Sequence, residues 1–389
     1  MATRTTGHYV PGSLAGSRYQ AFIPDALPPD PPLDLAAPDL VGRKERADQA
    51  LGRLDGITLM LPDPELFLYQ YVRKEALLSS QIEGTQSSLS DLLLFEMDEA
   101  PGVPIDDVEE VSNYVAALNH GLKRIRVDDF PLSLRLIREM HALLLRGGRG
   151  ASKQPGEFRK GQVWIGGSTP ALAHFVPPPP EALNAALQGF ERFLHAPVTE
   201  VSPLVKAALA HVQFETIHPF SDGNGRLGRL LIALILCGEG VLRDPSLYLS
   251  LHFKRHRAEY YDRLNAVRLH GDWEGWLGFF LDAVAETAQQ AVATAQRLLA
   301  LLAEDRARIA TLGVRAGNVG LVFDQFARRV LLGVTQIQPQ LTLSLPTIRA
   351  AVSTLQDMEI LNELTGQRRH RIFAYQRYLE ILSEGAQPL

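Results

Sequence analysis

The chain has 389 residues, of which 46% are hydrophobic and 21% charged, with a formal net charge of −5. That length suits two or three domains, the composition is that of a globular protein, and the mild acidity excludes a global attraction to nucleic acid or to an anionic membrane. A single cysteine, Cys237, excludes an internal disulfide, and neither the N-terminal MATRTTGHYVPGSL nor the longest apolar run, Leu230 to Gly238, has the pattern of a signal peptide or a membrane span; a cytoplasmic protein without membrane contact is expected.

Residues 1–40 are rich in Pro and Gly and read as an extended arm over the surface. From Val41 the pattern is helical, with Leu51, Leu54, Ile57 and Leu59 at helical spacing. In the next helix Pro64 suits the first turn, Leu66, Tyr69, Val72 and Leu77 form the apolar face, and Gly84 marks the end. Further helices are predicted over Leu89 to Glu96, Asp107 to Ile125 and Pro131 to Leu145. The Gly- and Pro-rich stretch that follows reads as a β-hairpin, with Gln162 to Ile165 pairing near Ala173 to Val176. Helices resume at Pro180 to Leu194, Ser202 to Ile217, Leu227 to Cys237, Arg255 to Leu269 and Trp273 to about Arg315. After Val319 a helix (LVFDQFARRVLLGV), a second helix, and strands Ile360 to Leu364 and Arg371 to Tyr375 follow the order of a winged helix, with Thr347 to Leu355 as recognition helix and Arg368, Arg369 and His370 at the wing tip. From Gln340 to Leu389 five Arg balance five acidic residues, so the module offers DNA few phosphate contacts; it serves equally as a dimerisation or target-docking surface.

The stretch HPFSDGNGRLGR, 218–229, lies between two apolar helices. A Gly-Asn-Gly run entering a helix exposes main-chain N–H groups without intrahelical partners, and the helix dipole favours an anion there. Gly223 and Gly225 admit a close approach, while Arg226 and Arg229, three apart, share a helix face and suit phosphate oxygens. Asp222 is placed to hold Mg²⁺ beside those phosphates. His218, titrating near neutral pH, is the candidate base for an incoming hydroxyl, and Pro219 and Phe220 anchor the loop.

These residues match H-P-F-x-[DE]-G-N-G-R-x-x-R at every fixed position, and the chain therefore resembles the Fic family, whose members transfer AMP from ATP to a protein hydroxyl and release pyrophosphate. The resemblance implies a mainly α-helical fold: a Fic-type core (116–315) with a β-hairpin flap, an N-terminal region (1–115) and the winged-helix module (316–389). It makes His218 the general base and Asp222 the Mg²⁺ ligand. Gly223, Asn224 and Gly225 would cradle the α- and β-phosphates, Arg226 would hold the β- and Arg229 the γ-phosphate. Doc-like members, which phosphorylate instead, carry Lys in place of Gly225, so Gly225 accords with AMP transfer. Gly156-Glu157-Phe158-Arg159 and Val163, Trp164 and Ile165 resemble the target-docking flap. Tyr261, or its neighbour Tyr260, is placed to stack on adenine or to fill the core. Ser79-Ser80-Gln81-Ile82-Glu83-Gly84 resembles the family's inhibitory sequence, in which Glu83 would pair with Arg229 in the space of the γ-phosphate. The implied substrates are ATP and a target protein's Ser, Thr or Tyr hydroxyl, with self-modification and a homodimer also expected. Removal of AMP, with Glu83 positioning water, and a DNA-binding regulator that senses nucleotide are the alternatives.

Overall fold

In the computed structural model, residues 4–14, 16–60, 64–97, 105–147, 150–197, 199–366 and 370–388 are described. The fold is mainly helical. The first departure from the sequence reading is the N-terminal arm: strands β1 (Gly7–Leu14) and β2 (Ser17–Pro24) form an antiparallel hairpin in which Gly7 pairs with Pro24 and Leu14 with Ser17. Its Pro and Gly residues hid the alternation, yet Ala21 and Phe22 are buried and the Phe22 N–H donates to the Val176 carbonyl at 2.9 Å.

Helices α1 (Pro38–Met60), α2 (Pro64–Ile82), α3 (Leu89–Phe95) and α4 (Ile105–Arg126) follow the expected order. Helix α5 (Leu134–Leu144) starts on a Ser133 side-chain cap, and α6 (Pro180–Leu194) and α7 (Pro203–Ile217) each begin with proline, whose missing N–H costs nothing in a first turn. Helices α8 (Asn224–Gly238), α9 (Ser250–Arg255), α10 (Arg257–His270) and α11 (Trp273–Ala310) complete the helical core. Every residue of α7 from Leu204 to Ile217 is buried. A helix buried on all sides lies at the centre, and α7 does: α8 packs along it, and the Trp276 indole of α11 donates to the Ala208 carbonyl at 2.9 Å. The short α9 was not foreseen as a separate element; it packs on α2.

Beyond α11, α12 (Ala316–Arg329) ends earlier than its apolar pattern suggested. Residues Leu331–Gly333 are strand β3, which pairs with β5 (Ile372–Tyr375), and β5 pairs with β4 (Leu361–Glu363). A run buried on both faces has no period, and pairing with β5 decides it as strand. Between β3 and β4 lie α13 (Val334–Ile337) and α14 (Leu345–Asp357), the latter capped by Ser344. Arg368 and Arg369 lie outside the described residues.

The chain closes with α15 (Gln376–Ser383), which packs on α11 and α2. Its exit segment is fastened to α2, α9 and α11: the Gln81 amide donates to the Ala386 carbonyl at 2.9 Å, Lys254 donates to Gln387, and Arg297 grips Glu384 through two bonds of 2.7 Å. Among the described residues no helix is long and apolar enough to cross a membrane. Ending the chain after Ser383 should lower unfolding stability by about 2–4 kcal/mol, at roughly 1 kcal/mol per lost hydrogen bond; urea unfolding measures it, and an unchanged midpoint would show the clasp to be idle.

Candidate functional site

The site grows from the junction of α7 and α8. Helix α7 ends at His218 in the left-handed conformation, φ 48° and ψ 60°, with its N–H on the Phe214 carbonyl at 2.9 Å. A non-glycine residue in that region carries a cost of order 1 kcal/mol, so the surroundings must hold it. Arg159 does so from beneath. It is 3% exposed; its Nε donates to the His218 carbonyl at 2.9 Å, its Nη2 to the Pro178 carbonyl at 2.6 Å, and its own N–H to the Pro219 carbonyl at 2.9 Å. The GEFR segment thus supports the loop from inside through Arg159. Arg159 has main-chain carbonyls as partners, and burial lowers its pKa to about 10.

The loop is braced twice more. Asn224 receives the Phe220 N–H on Oδ1 and donates Nδ2 to the Phe220 carbonyl, both at 2.9 Å. Its side chain is therefore spent on the loop, and what it can offer a ligand is its main-chain N–H. His141 of α5, absent from the sequence reading, accepts the Gly156 N–H on Nδ1 at 2.8 Å and so presents Nε2–H to the Asp222 carbonyl at 3.0 Å. It stacks on Phe220 with centroids 3.7 Å apart. Phe220 is fully buried, as its anchoring role required.

Gly223, φ 74°, caps the N-terminus of α8, and the first bond of the helix is from Leu227 to Gly223 at 3.0 Å. The N–H groups of residues 224–226 consequently have no acceptor within the helix. Arg226, 5% exposed, adds two buried N–H positions, Nε and Nη1, without a hydrogen-bond acceptor among the described residues. Its nearest anions stand farther off: Glu110 at 3.5 Å and Asp222 at 3.8 Å. Asp222 accepts the Gly223 N–H on Oδ1 at 2.6 Å, and its side chain is 42% exposed, so a cation can reach its other oxygen. This donor set suits a bound polyphosphate and a hard cation.

Arg229 differs, because it is already paired. At 3% exposure it donates Nε to Ser79 Oγ and Nη2 to the Ser79 carbonyl, both at 2.9 Å, and Nη2 to Glu83 Oε1 at 2.7 Å. A Cβ on Gly225 would collide with Glu83 Oε1, so the carboxylate lies directly against the cradle's first turn. Burial works against the Glu83 charge, but the Arg229 charge and hydrogen bond outweigh it and hold the carboxyl below its ordinary value. Sequence analysis missed Glu110, which takes the Thr85 hydroxyl at 3.0 Å and faces Arg226; helical spacing on α4 gave no sign that it reaches the loop. It also missed Glu215, buried one turn before His218, where burial lifts its carboxyl to about 7 against the pull of Arg229.

Tyr260 is a core residue, 1% exposed, with its hydroxyl 2.8 Å from His211 Nε2. Tyr261 is half-buried with the Arg257 guanidinium 5.3 Å over its ring. The flap is less regular than expected. Val163, Trp164 and Ile165 are half-buried, and Ile165 makes a single antiparallel bridge to Phe175. Two successive glycines at φ 70° and 69°, and a tight turn at Pro170–Leu172, leave no room for a longer ladder.

Burial pushes His218 down to about 4, with the Arg268 and Arg159 charges adding to the effect, and pushes His141 to about 4 against the Asp222 carbonyl. Both imidazoles are neutral near pH 7. The unfolded chain binds these protons below about pH 6.5 and the folded chain refuses them until about pH 4, so stability falls with falling pH across that window. Glu75 and Glu215, lifted by burial to about 7, act oppositely from 4.5 to 7. The difference between variants isolates one imidazole: His141→Gln should remove about 1.4 kcal/mol per pH unit from the slope of unfolding free energy between pH 6 and 4.5. An identical slope would mean that His141 is not held neutral.

Comparison with known proteins agrees with this geometry. Residues 41–123 match the Fic/DOC family N-terminal model and residues 131–236 the Fic/DOC family model. The chain is 32% identical over 254 residues to protein adenylyltransferase Fic of Aedes aegypti, covering 63% of this chain and 46% of that protein. It is 32% identical over 210 residues to the protein of the same name from Culex quinquefasciatus, covering 53% and 39%. It thus spans less than half the length of these curated relatives. A Fic family protein from Desulfovibrio desulfuricans G20 superimposes with a TM-score of 0.57 at 20% identity, over 87% of this chain and 96% of the other. Fic-1 from C. elegans gives 0.51 at 26% identity, over 69% and 75%. Both family regions are matched in order, and the HPFSDGNGRLGR loop is built at the junction of α7 and α8, so residues 41–236 carry the Fic/DOC N-terminal and Fic/DOC regions.

Proposed function

We propose that this protein transfers AMP from ATP to a hydroxyl of a target protein and that Glu83 restrains it. The observation that carries the reading is the cradle at 224–226, where Arg226 keeps two buried N–H groups without an acceptor among the described residues, in the same loop as a neutral His218. The names of the relatives, protein adenylyltransferase, support it. In the reaction, His218 takes the proton of the attacking hydroxyl. The hydroxyl oxygen bonds to the α-phosphorus, the bond from that phosphorus to the bridging oxygen breaks, and pyrophosphate leaves. The N–H groups of 224–226 and Arg226 stabilise the developing charge. Magnesium, when bound, would be held by Asp222 and supplies charge neutralisation between phosphates.

Glu83 stands on the guanidinium that a γ-phosphate would use and against the Gly225 backbone. While it stays, a triphosphate cannot extend fully along the cradle, and a misplaced α-phosphorus reacts slowly. The alternative of a DNA-binding regulator has less support. The exposed face of α14 carries one cation, Arg349, and of the nearby arginines Arg377 pairs with Glu304 at 3.1 Å and Arg371 lies 3.9 Å from Glu363.

Label from α-labelled ATP, followed on the protein itself and on partners, tests the proposal. Glu83→Gly should raise transfer by about 100-fold; no rise with intact ATP binding would dismiss the restraint. In that background His218→Ala should lower transfer by about 10²–10⁴-fold while the nucleotide Kd changes little. The acid limb of kcat/KM should fall well below the ordinary histidine value of 6.5, because burial keeps His218 deprotonated. A limb at or above 6.5 would assign the proton transfer to another group.

A further inference from the structure

On the far side of α9 from the inhibitory sequence, three metal-ligating side chains converge that the transfer reaction does not use. His252 and His256 are four residues apart, and the His256 N–H on the His252 carbonyl at 2.9 Å keeps them one helical turn apart on the same face. Their rings lie 4.3 Å apart, centroid to centroid. Glu286 comes from α11 and places Oε2 2.7 Å from His252 Nδ1. One ligand atom from each of the three lies within 4.8 Å of the others.

We propose that His252, His256 and Glu286 bind a divalent cation of the zinc class. Two imidazole nitrogens and one carboxylate oxygen are the donors such ions take, whereas magnesium prefers oxygen alone. The rest of the site is arranged for it. The Arg255 guanidinium lies 3.4 Å from Glu286 Oε1, which orients the carboxylate and leaves Oε2 for the ion. Asp282, one turn before Glu286, is engaged by Arg43 and Arg46 and does not compete. His252 is fixed by burial and by the edge of Phe279 at 5.1 Å. An ion about 2.0–2.2 Å from both Nδ1 and Oε2 needs those atoms roughly 3.2–3.5 Å apart, an opening within reach of the Glu286 side chain, which is 46% exposed. Three protein ligands leave a fourth position for water.

The site has a structural consequence. It joins α9 to α11, and α9 is the helix that holds α2: the Ser250 N–H meets Glu75 at 3.1 Å and Lys254 meets Gln81 at 2.7 Å. Occupancy would stiffen the support behind the inhibitory sequence.

The test uses the full chain, free of any affinity tag and of nucleotide, titrated with Co²⁺ as a visible probe and then with Zn²⁺ as competitor. One equivalent of Co²⁺ should bind with the absorption of a four- or five-coordinate nitrogen–oxygen site, and Zn²⁺ should displace it and raise the Tm. His256→Gln and Glu286→Gln, both at exposed side chains, should weaken binding about tenfold or more and abolish the Tm shift, whereas Asp222→Asn should leave both unchanged. Absence of binding, an octahedral all-oxygen spectrum, equal binding by His256→Gln, or loss of binding in Asp222→Asn would each overturn the assignment without touching the AMP-transfer reading, which rests on other residues.

Discussion

The structure turns on a buried ion pair, in which Arg229, a permanent cation in the helical core, meets a carboxylate. At 3% exposure its charge is expensive unless neutralised, and dipoles alone, such as the Ser79 hydroxyl and carbonyl, do not neutralise it. Glu83 completes the pairing in the structure at hand. Much of the surrounding architecture follows from this demand. Helix α2 must deliver its C-terminal turn to the first turns of α8, α7 must supply the buried floor, and Gly225 must lack a side chain so that the carboxylate can settle. Removing Glu83 would leave the Arg229 guanidinium with the Ser79 hydroxyl and carbonyl alone.

The loop between α7 and α8 meets a different constraint. Its main chain passes through left-handed geometry at both His218 and Gly223, and glycine explains only the second. The first is enforced by Arg159 from the segment before the flap, and the midpoint of the loop by Asn224 and by His141. These three are polar residues spent on backbone atoms. They hold the main chain at the start of α8, where the N–H groups of 224–226 have no acceptor within the helix.

How much of this was legible in the sequence depends on range. The helices were legible because their apolar faces recur at helical spacing and their starts carry Ser or Pro; α6 and α7 begin and end within a residue of expectation. The 218–229 cluster was legible because its chemistry is local, and the Glu83–Arg229 pair because each half sits in a recognisable stretch. His141, Arg159 and Glu110 were not. Each acts through partners distant in sequence, and nothing in its neighbourhood distinguishes it from an ordinary helix or loop residue. The flap and the N-terminal hairpin failed in opposite directions. Gly- and Pro-rich edges around Gln162 to Ile165 suggested a hairpin that successive glycines cut to one bridge, while Pro and Gly near residues 7–24 concealed a ladder of eight pairs.

The final turn of the polypeptide is stitched to the helix that carries Glu83. Gln81, two positions before the carboxylate, holds the Ala386 carbonyl, and Lys254 holds Gln387. A pull on β3–β5 or α15 would therefore be carried to the C-terminal turn of α2, beside the Glu83–Arg229 ion pair.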